Sequence, residues 1–264
     1  ATPTEVLVLN AAGDAYVPLT GIVKIAAGAN HNLALSADGT VYAWGDNSMG
    51  GVGAGTTTAV YYTATRVLGV NGSKDGGILG ADLYSSAIVD IVASGAVDAA
   101  GKTIRQYSFA LDKTGRLFGW GYNYHGVVDP SATTGADVKT LPVDVGRNTS
   151  SLEKALTLSG DKIAANMRIL KKDGQVMTWG ENNAAHPAYG GYGTNEKPDR
   201  AVLGGRALEV SGGVYNAVAI TTAGQVKTWG GANDGTYDTR FANGLHDVTV
   251  YAGEQLVDKF GVLQ

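Results

Sequence analysis

Two stretches of this chain collect hard oxygen donors. GGANDGTYDTR (230–240) holds Asn233, Asp234, Thr236 and Asp238, and Asp46, Asn47 and Ser48 follow one another in a second loop. Calcium takes about six to eight oxygens, several of them from backbone carbonyls. Asn233, Asp234, Asp238 and Asp46 are therefore the candidate metal ligands, and calcium is the one cofactor these residues could hold. Neither stretch has the EF-hand register that ends in glutamate, and an ordinary turn braced by Asn and Asp side chains is the competing reading. Zinc is not expected, because His31, His125, His186 and His246 show no i, i+4 or close strand spacing. His125 and His186 fall in loops, where a ligand role is open. His31 occupies a fixed place in a repeated unit and reads as structural.

Catalysis needs a nucleophile beside a base, or two carboxylates in unlike environments. The serines are scattered, and none lies in a GxSxG elbow. Asp38, Asp112 and Asp173 stand in turns, where carboxylates brace the bend. The run GGVGAG (50–55) lacks the Lys-Ser/Thr of a phosphate loop and opens no helix. An enzyme is not expected. Recognition is better served. Tyr61, Tyr62, Tyr84, Tyr122, Tyr124, Tyr189 and Tyr192 lie outside the repeated strands, among Asn, Gly, Ser and Thr. Tyrosine brings apolar area and a polar tip at low entropic cost, and loops on a rigid scaffold commonly carry binding. These tyrosines are the candidate receptor-binding residues.

The scaffold that must hold them is written four times. LSADGTVYAWG (35–45), LDKTGRLFGWG (111–121), LKKDGQVMTWG (170–180) and ITTAGQVKTWG (220–230) share one pattern, and all four tryptophans of the chain occupy one place in it. Trp44, Trp120, Trp179 and Trp229 are separated by 76, 59 and 50 residues, so the unit is about 50 residues long, with insertions near 56–86 and 122–140. In the first unit Val23, Ile25 and Ala27 alternate up to Gly28, a second apolar run spans 31–35, Asp38-Gly39 signals a hairpin, and a third run spans 41–44. The runs are too short for buried helices. The tryptophan beside glycine reads as packing between neighbouring units rather than as a ligand cage.

The ends fit the same unit. Gly13 and Tyr16 align with Gly39 and Tyr42, and Val248, Val250 and Gly253 align with Val23, Ile25 and Gly28. A unit divided between the two termini is what closes a ring. The expected fold is all-β: one β-propeller domain, five-bladed in its count of units, with blades at 21–86, 87–148, 149–204 and 205–244 and a composite last blade of 245–264 with 1–20.

The first unit, with Gly28, His31, Leu33, Leu35, Asp38, Gly39, Val41, Trp44, Gly45, Asn47, Gly50, Gly53 and Gly55, resembles the regulator of chromosome condensation (RCC1) type of repeat. The resemblance extends over nearly the whole chain as one full and several decayed copies. It implies a propeller of RCC1-like repeats, and relatives of this repeat serve nucleotide exchange, enzyme inhibition and recognition. The founding family has seven blades and a basic side. This chain has about five units, a net charge of −4 and no evident wedge for nucleotide exchange, so that activity is not carried over. In size and architecture the chain is also similar to the distal head of a bacteriophage spike.

Composition narrows the partners. The 264 residues are 44% hydrophobic and 17% charged, without a basic run, so nucleic acid is not an expected partner. Cysteine is absent, and no segment reaches the ~20 apolar residues of a membrane-spanning helix, so no membrane insertion is expected. The leading expectation is a non-enzymatic recognition domain. It would be the head of a viral spike at the virion surface, binding a host cell-surface receptor such as a surface glycan or outer-membrane component. It would be homo-oligomeric through segments outside this chain. The alternative is a regulatory or inhibitory propeller that binds a partner protein, or an extracellular or secreted location.

Overall fold

Each hairpin is closed by local chemistry. The turn glycines Gly39, Gly115, Gly174 and Gly224 have φ of +89°, +91°, +79° and +74°, a region that side chains with a Cβ rarely adopt. The preceding carboxylates hold the bends. Asp38 Oδ1 accepts the Thr40 N–H at 3.0 Å, and Asp112 Oδ1 accepts those of Thr114 and Arg116 at 2.9 and 3.0 Å.

The computed structural model describes the chain except for residues 1, 58–59, 71–76, 82–84, 131–136, 147–154, 161–165, 183–192, 202, 213–215, 231–245, 248–249, 253–254 and 258–264. The described residues are all-β apart from a 3-10 turn at Tyr124–Gly126. An N-terminal hairpin, β1 (Leu7–Leu9) and β2 (Tyr16–Pro18), precedes the blades. Blade one comprises β3 (Ile22–Ala27), β4 (His31–Ser36), β5 (Val41–Asp46) and β6 (Val60–Arg66). Blade two comprises β7 (Ile88–Val97), β8 (Thr103–Asp112), β9 (Leu117–Tyr122) and β10 (Val138–Asp144). Blade three comprises β11 (Ala155–Gly160), β12 (Asn166–Lys171), β13 (Val176–Asn182) and β14 (Gly193–Arg200). Blade four comprises β15 (Ala207–Gly212), β16 (Asn216–Thr221), β17 (Val226–Gly230) and β18 (His246–Asp247). A two-stranded sheet of β19 (Val250–Ala252) and β20 (Gln255–Val257) follows. Within each blade the strands lie in chain order, as an antiparallel meander. No helix among the described residues is long and apolar enough to cross a membrane.

The blades stack in sequence. β7 packs on β3 and β4, β11 on β7 and β8, and β15 on β11 and β12. Strand alternation sends one face of each blade backward and the other forward. Leu33, Leu35, Val41 and Ala43 of blade one meet Ile91, Ala110, Phe118 and Trp120 of blade two in one buried cluster. Tyr107, Phe109 and Leu117 meet Met167, Ile169 and Trp179 in the next, and Leu170 and Val176 share a third with Ala217, Ala219 and Trp229.

Hydrogen bonds fix the stacking at two levels. The turn carbonyls of Gly39, Gly115 and Gly174 accept the N–H groups of Ile88, Ala155 and Ala207, at 3.3, 3.2 and 2.8 Å, where each following blade begins. Deeper in, Trp120 Nε1 donates to the Gly51 carbonyl and Trp179 Nε1 to the Val127 carbonyl, both at 2.8 Å. Those carbonyls sit on loops shaped by a buried asparagine. Asn47 Oδ1 accepts the Val52 N–H (3.0 Å) and its Nδ2 donates to the Thr56 carbonyl (2.8 Å). Asn123 Oδ1 likewise accepts the N–H groups of Val128 and Asp129, at 3.0 and 2.8 Å.

One expectation from the sequence differs from this structure. The stretches 56–86 and 122–140 are not plain insertions, because residues 60–66 form the outer strand β6 and β10 starts at Val138. The outer strand is little buried, so it lacks the apolar rhythm of the inner three. The N-terminal hairpin joins the outer edge of blade one, where β1 pairs in parallel with β6 through Val8 and Ala64. The outer edge of β6 offers the backbone groups that an extra strand satisfies. Among the described residues the blades form four successive sheets plus the β19–β20 pair, and no extensive packing joins blade one to blade four.

Trp120 and Trp44 occupy the same place in their units and different surroundings. Trp120→Phe is expected to cost about 1–3 kcal/mol, from lost packing and the lost hydrogen bond to the Gly51 carbonyl. Trp44→Phe, at a partly exposed site, is expected to cost under about 1 kcal/mol. Urea denaturation of the two variants measures the difference.

Candidate functional site

A layer of polar bonds crosses from blade one to the turn end of the β7–β8 hairpin. The Asp46 carbonyl accepts Gln106 Nε2 at 2.6 Å, and Gln106 Oε1 accepts the Gly51 N–H at 2.9 Å. The Asp46 carboxylate accepts the Ser48 N–H (2.9 Å), the Ser48 hydroxyl (3.1 Å) and the Thr103 hydroxyl. Asn30 Nδ2 reaches Thr103 Oγ1 at 3.0 Å and the Gly101 carbonyl at 3.3 Å. Gly51 is required here by space: a Cβ would lie 2.4 Å from Gln106 Cγ.

β7 and β8 run ten residues each, the longest strands described. Arg105 on β8 places its guanidinium 4.5 Å from the centroid of the Tyr124 ring. Tyr124 stacks on Tyr122 with centroids 5.8 Å apart and planes 17° from parallel, and His125 meets Tyr124 edge-on at 4.0 Å. His125 has φ of +53°, the sole positive φ of a non-glycine residue among the described residues. Such a conformation costs on the order of 1 kcal/mol and persists where its surroundings dictate it. Beside Tyr122, Lys139 Nζ lies 2.7 Å from Asp137 and 3.1 Å from Asp129. Burial alone would lower the Lys139 pKa, but hydrogen bonds to Asp137 and Asp129 hold it above its ordinary value. Burial would likewise raise Asp137, and hydrogen bonds from Lys139 and Asn123 keep it lowered. The cluster offers stacking surfaces, a guanidinium and phenol hydroxyls, which is the chemistry of recognition.

Of the tyrosines singled out in the sequence, Tyr122 and Tyr124 come together here. Tyr61 and Tyr62 lie at the same end of blade one, with Tyr61 paired opposite Gly45. They stand in a strand rather than a loop. Tyr61 packs against the first apolar cluster with its hydroxyl 3.2 Å from Thr56 Oγ1, whereas Tyr62 is 89% exposed. Tyr84, Tyr189 and Tyr192 lie outside the described residues, as do Asn233, Asp234, Thr236 and Asp238 of the calcium loop. Asp46 is engaged with Ser48 and Thr103, and no group of three His, Asp or Glu among the described residues is placed to hold a metal ion. Arg105 was not legible from the sequence. Its one signal is the length of the paired apolar runs on either side of 98–102.

With this geometry in view, comparison with known proteins is informative. The model of the regulator of chromosome condensation (RCC1) repeat matches residues 22–50, which span β3, β4, β5 and the start of the Asn47 loop. The crystal structure of human WBSCR16 aligns with a TM-score of 0.66 at 17% identity, covering 92% of this chain and 57% of that one. The structure of Prp20p from Saccharomyces cerevisiae aligns with a TM-score of 0.60 at 16% identity, covering 89% and 51%. The fold is an RCC1-type β-propeller. Among curated proteins, the probable E3 ubiquitin-protein ligase HERC6 of Homo sapiens is 27% identical over 231 residues, 87% of this chain. This chain spans 19% of the length of HERC6.

His31 gives the first interface a pH dependence. Ser108 donates its one proton to the Gly51 carbonyl (2.9 Å), so His31 Nε2, 2.9 Å from Ser108 Oγ, is the donor of that pair. Nδ1 is left unprotonated, and it is buried without a hydrogen-bond partner among the described residues. It faces Gly28, where a Cβ would lie 2.5 Å from it. Burial lowers the His31 pKa from 6.5 to about 4, against the opposing pull of Asp46. The unfolded chain therefore takes up this proton first. The stability contribution is fully present above pH 6.5 and is lost as pH falls towards 4, by roughly 3 kcal/mol. His31→Gln, neutral throughout, is expected to flatten the stability-against-pH curve between pH 6.5 and 4 relative to the parent chain, as read by urea denaturation at several pH values.

Proposed function

We propose that this chain is a non-enzymatic, protein-binding regulatory module whose partner docks on the end of blades one and two that carries Arg105, Tyr122, Tyr124, His125 and Tyr62. The observation that carries this reading is the stacked Tyr122–Tyr124 pair under the Arg105 guanidinium. Tyrosine and arginine are the residues that dominate protein-binding hot spots. Arg105 stands on a hairpin whose turn end is tied to blade one by Gln106, Thr103 and Asp46, so little order has to be created on binding. The strained His125 backbone is held by the same frame.

The relatives support a protein partner. Prp20p has binding properties towards Gsp1p and histones. HERC6 bears the name of a ligase, and this chain corresponds to 19% of that protein. The ligase name therefore attaches to the relative as a whole, and the part shared here is the propeller. These relatives favour a partner protein over the host-surface receptor of a viral spike head.

Affinity capture with the purified chain as bait, followed by a binding titration with the recovered protein, tests the proposal. Tyr124→Ala and Arg105→Ala are each expected to weaken binding about tenfold or more, roughly 1.4 kcal/mol, with unchanged melting. Tyr16→Ala, in the exposed N-terminal hairpin, is expected to leave binding unchanged. Binding that is indifferent to Tyr124 and Arg105 would move the docking surface elsewhere.

A further inference from the structure

The joint between blades one and two holds an imidazole where the later units do not. At the same distance before the tryptophan, blades two, three and four carry Tyr107, Asn166 and Asn216 in the place of His31. His31 is buried and crosses from β4 to Ser108 of β8 through Nε2. The Ser108 hydroxyl passes the contact on to the Gly51 carbonyl, and the Gly51 N–H donates to Gln106 Oε1. Gln106 Nε2 and the Thr103 hydroxyl then bind Asp46. Asn30, the residue before His31, adds its bonds to Thr103 and the Gly101 carbonyl. One connected set of bonds thus runs from the imidazole to the stretch of β8 that carries Arg105.

This ring can be held in its slot only while neutral. Its Nδ1 is buried without a hydrogen-bond partner among the described residues and is pressed against Gly28, where a Cβ would lie 2.5 Å away. A proton there adds a donor with no acceptor and a charge with no partner, both costly in a buried place. Few other charges face the ring. Lys24 of β3 and Asp90 of β7 pair with each other near the start of both strands. Tyr42 of β5 stands opposite Arg66, and Tyr107 of β8 packs edge-on against Phe109. Asp112 of β8 braces its own turn, and Arg105 lies over Tyr124. Asp46, at the end of β5, is the group whose charge reaches His31. We propose that His31 is an acid-released latch: proton uptake at Nδ1 draws the ring out of its slot towards the Asp46 carboxylate, parts it from Ser108 and frees the turn end of the β7–β8 hairpin from blade one, while the later joints stay closed. The imidazolium takes the place of the Thr103 hydroxyl on Asp46, so the charge gains a partner as the joint opens. Burial holds the closed ring at a pKa of about 4, whereas an imidazole in water titrates near 6.5, so falling pH favours the open form between those values. The consequence, Arg105 leaving Tyr124 and a bound partner being released in acid, rests on the function proposed above. The opening itself is read in the free chain and stands or falls separately.

Amide hydrogen exchange of the free 264-residue chain at pH 6.5 and 4.5, corrected for intrinsic rates, tests this. Protection of residues 46–52 and 101–108 is expected to fall about tenfold or more at the lower pH, while that of 166–171 and 176–182 holds. In His31→Gln, which cannot take up the proton, the two pH values should give the same protection at 46–52 and 101–108. For a readout free of substitutions, nitrogen NMR of the unaltered chain should show His31 protonated on Nε2 alone at pH 6.5. Its titration midpoint should coincide with the loss of protection. Protection lost equally in all blades would mean global unfolding, and protection lost equally in His31→Gln would assign the effect to Asp46. Either result, or a His31 midpoint unrelated to the opening, overturns the proposal.

Discussion

A tryptophan of one blade ends on a backbone carbonyl of another, and the rest of the molecule is arranged around that bond. The Gly51 carbonyl accepts both Trp120 Nε1 and the Ser108 hydroxyl, and the Gly51 N–H is taken by Gln106. A loop peptide saturated in this way has one admissible position. The loop holds that position because Asn47 bonds across it and because Gly51 and Gly53 leave room for Gln106 and the Trp120 ring. The same device recurs one blade on, where Asn123 shapes the loop that offers the Val127 carbonyl to Trp179. A buried indole N–H without a partner costs about 1–3 kcal/mol. The bond therefore selects one register for blade two on blade one and for blade three on blade two, while the aliphatic clusters supply the larger, less directional share of stability.

That registration has a functional consequence. Asp46, Gln106 and Thr103 belong to the same interface, and they anchor the hairpin on which Arg105 stands. The cluster at Tyr122 and Tyr124 follows directly from the loop that Asn123 shapes. The residues that fix one blade on the next thereby also position the side chains offered to a partner. The left-handed backbone at His125 is tolerated because the Asn123 bonds on one side and Gly126, with φ of +67°, on the other leave the chain little alternative.

Decay of the repeat does not weaken the scaffold evenly. Gly28 makes room for the His31 ring in blade one, whereas blade two puts Ser94 and the buried Tyr107 in those places. The turn glycine and the tryptophan persist in all four units. The carbonyls of Gly39, Gly115 and Gly174 receive the next blade from turns whose positive φ favours glycine, and the indoles of Trp120 and Trp179 reach back to the previous one.

The sequence by itself determined the hairpins, the all-β class and the role of the tryptophans as packing residues. Those features depend on local geometry: a glycine at positive φ, a carboxylate bracing the bend, and alternation over a few residues. It did not reveal β6 and β10 as blade strands, because an outer strand such as VYYTATR buries little beyond Ala64 and so carries no periodic signal. It placed the N-terminal hairpin by its likeness to a blade hairpin, whereas the free edge of β6 decided where those strands pair. Arg105 and Tyr124 are 19 residues apart in the chain, in different elements, and nothing in either segment announces the other. The tertiary structure brought them together, because which side chains share a surface depends on strand length and on the register of one sheet against its neighbour.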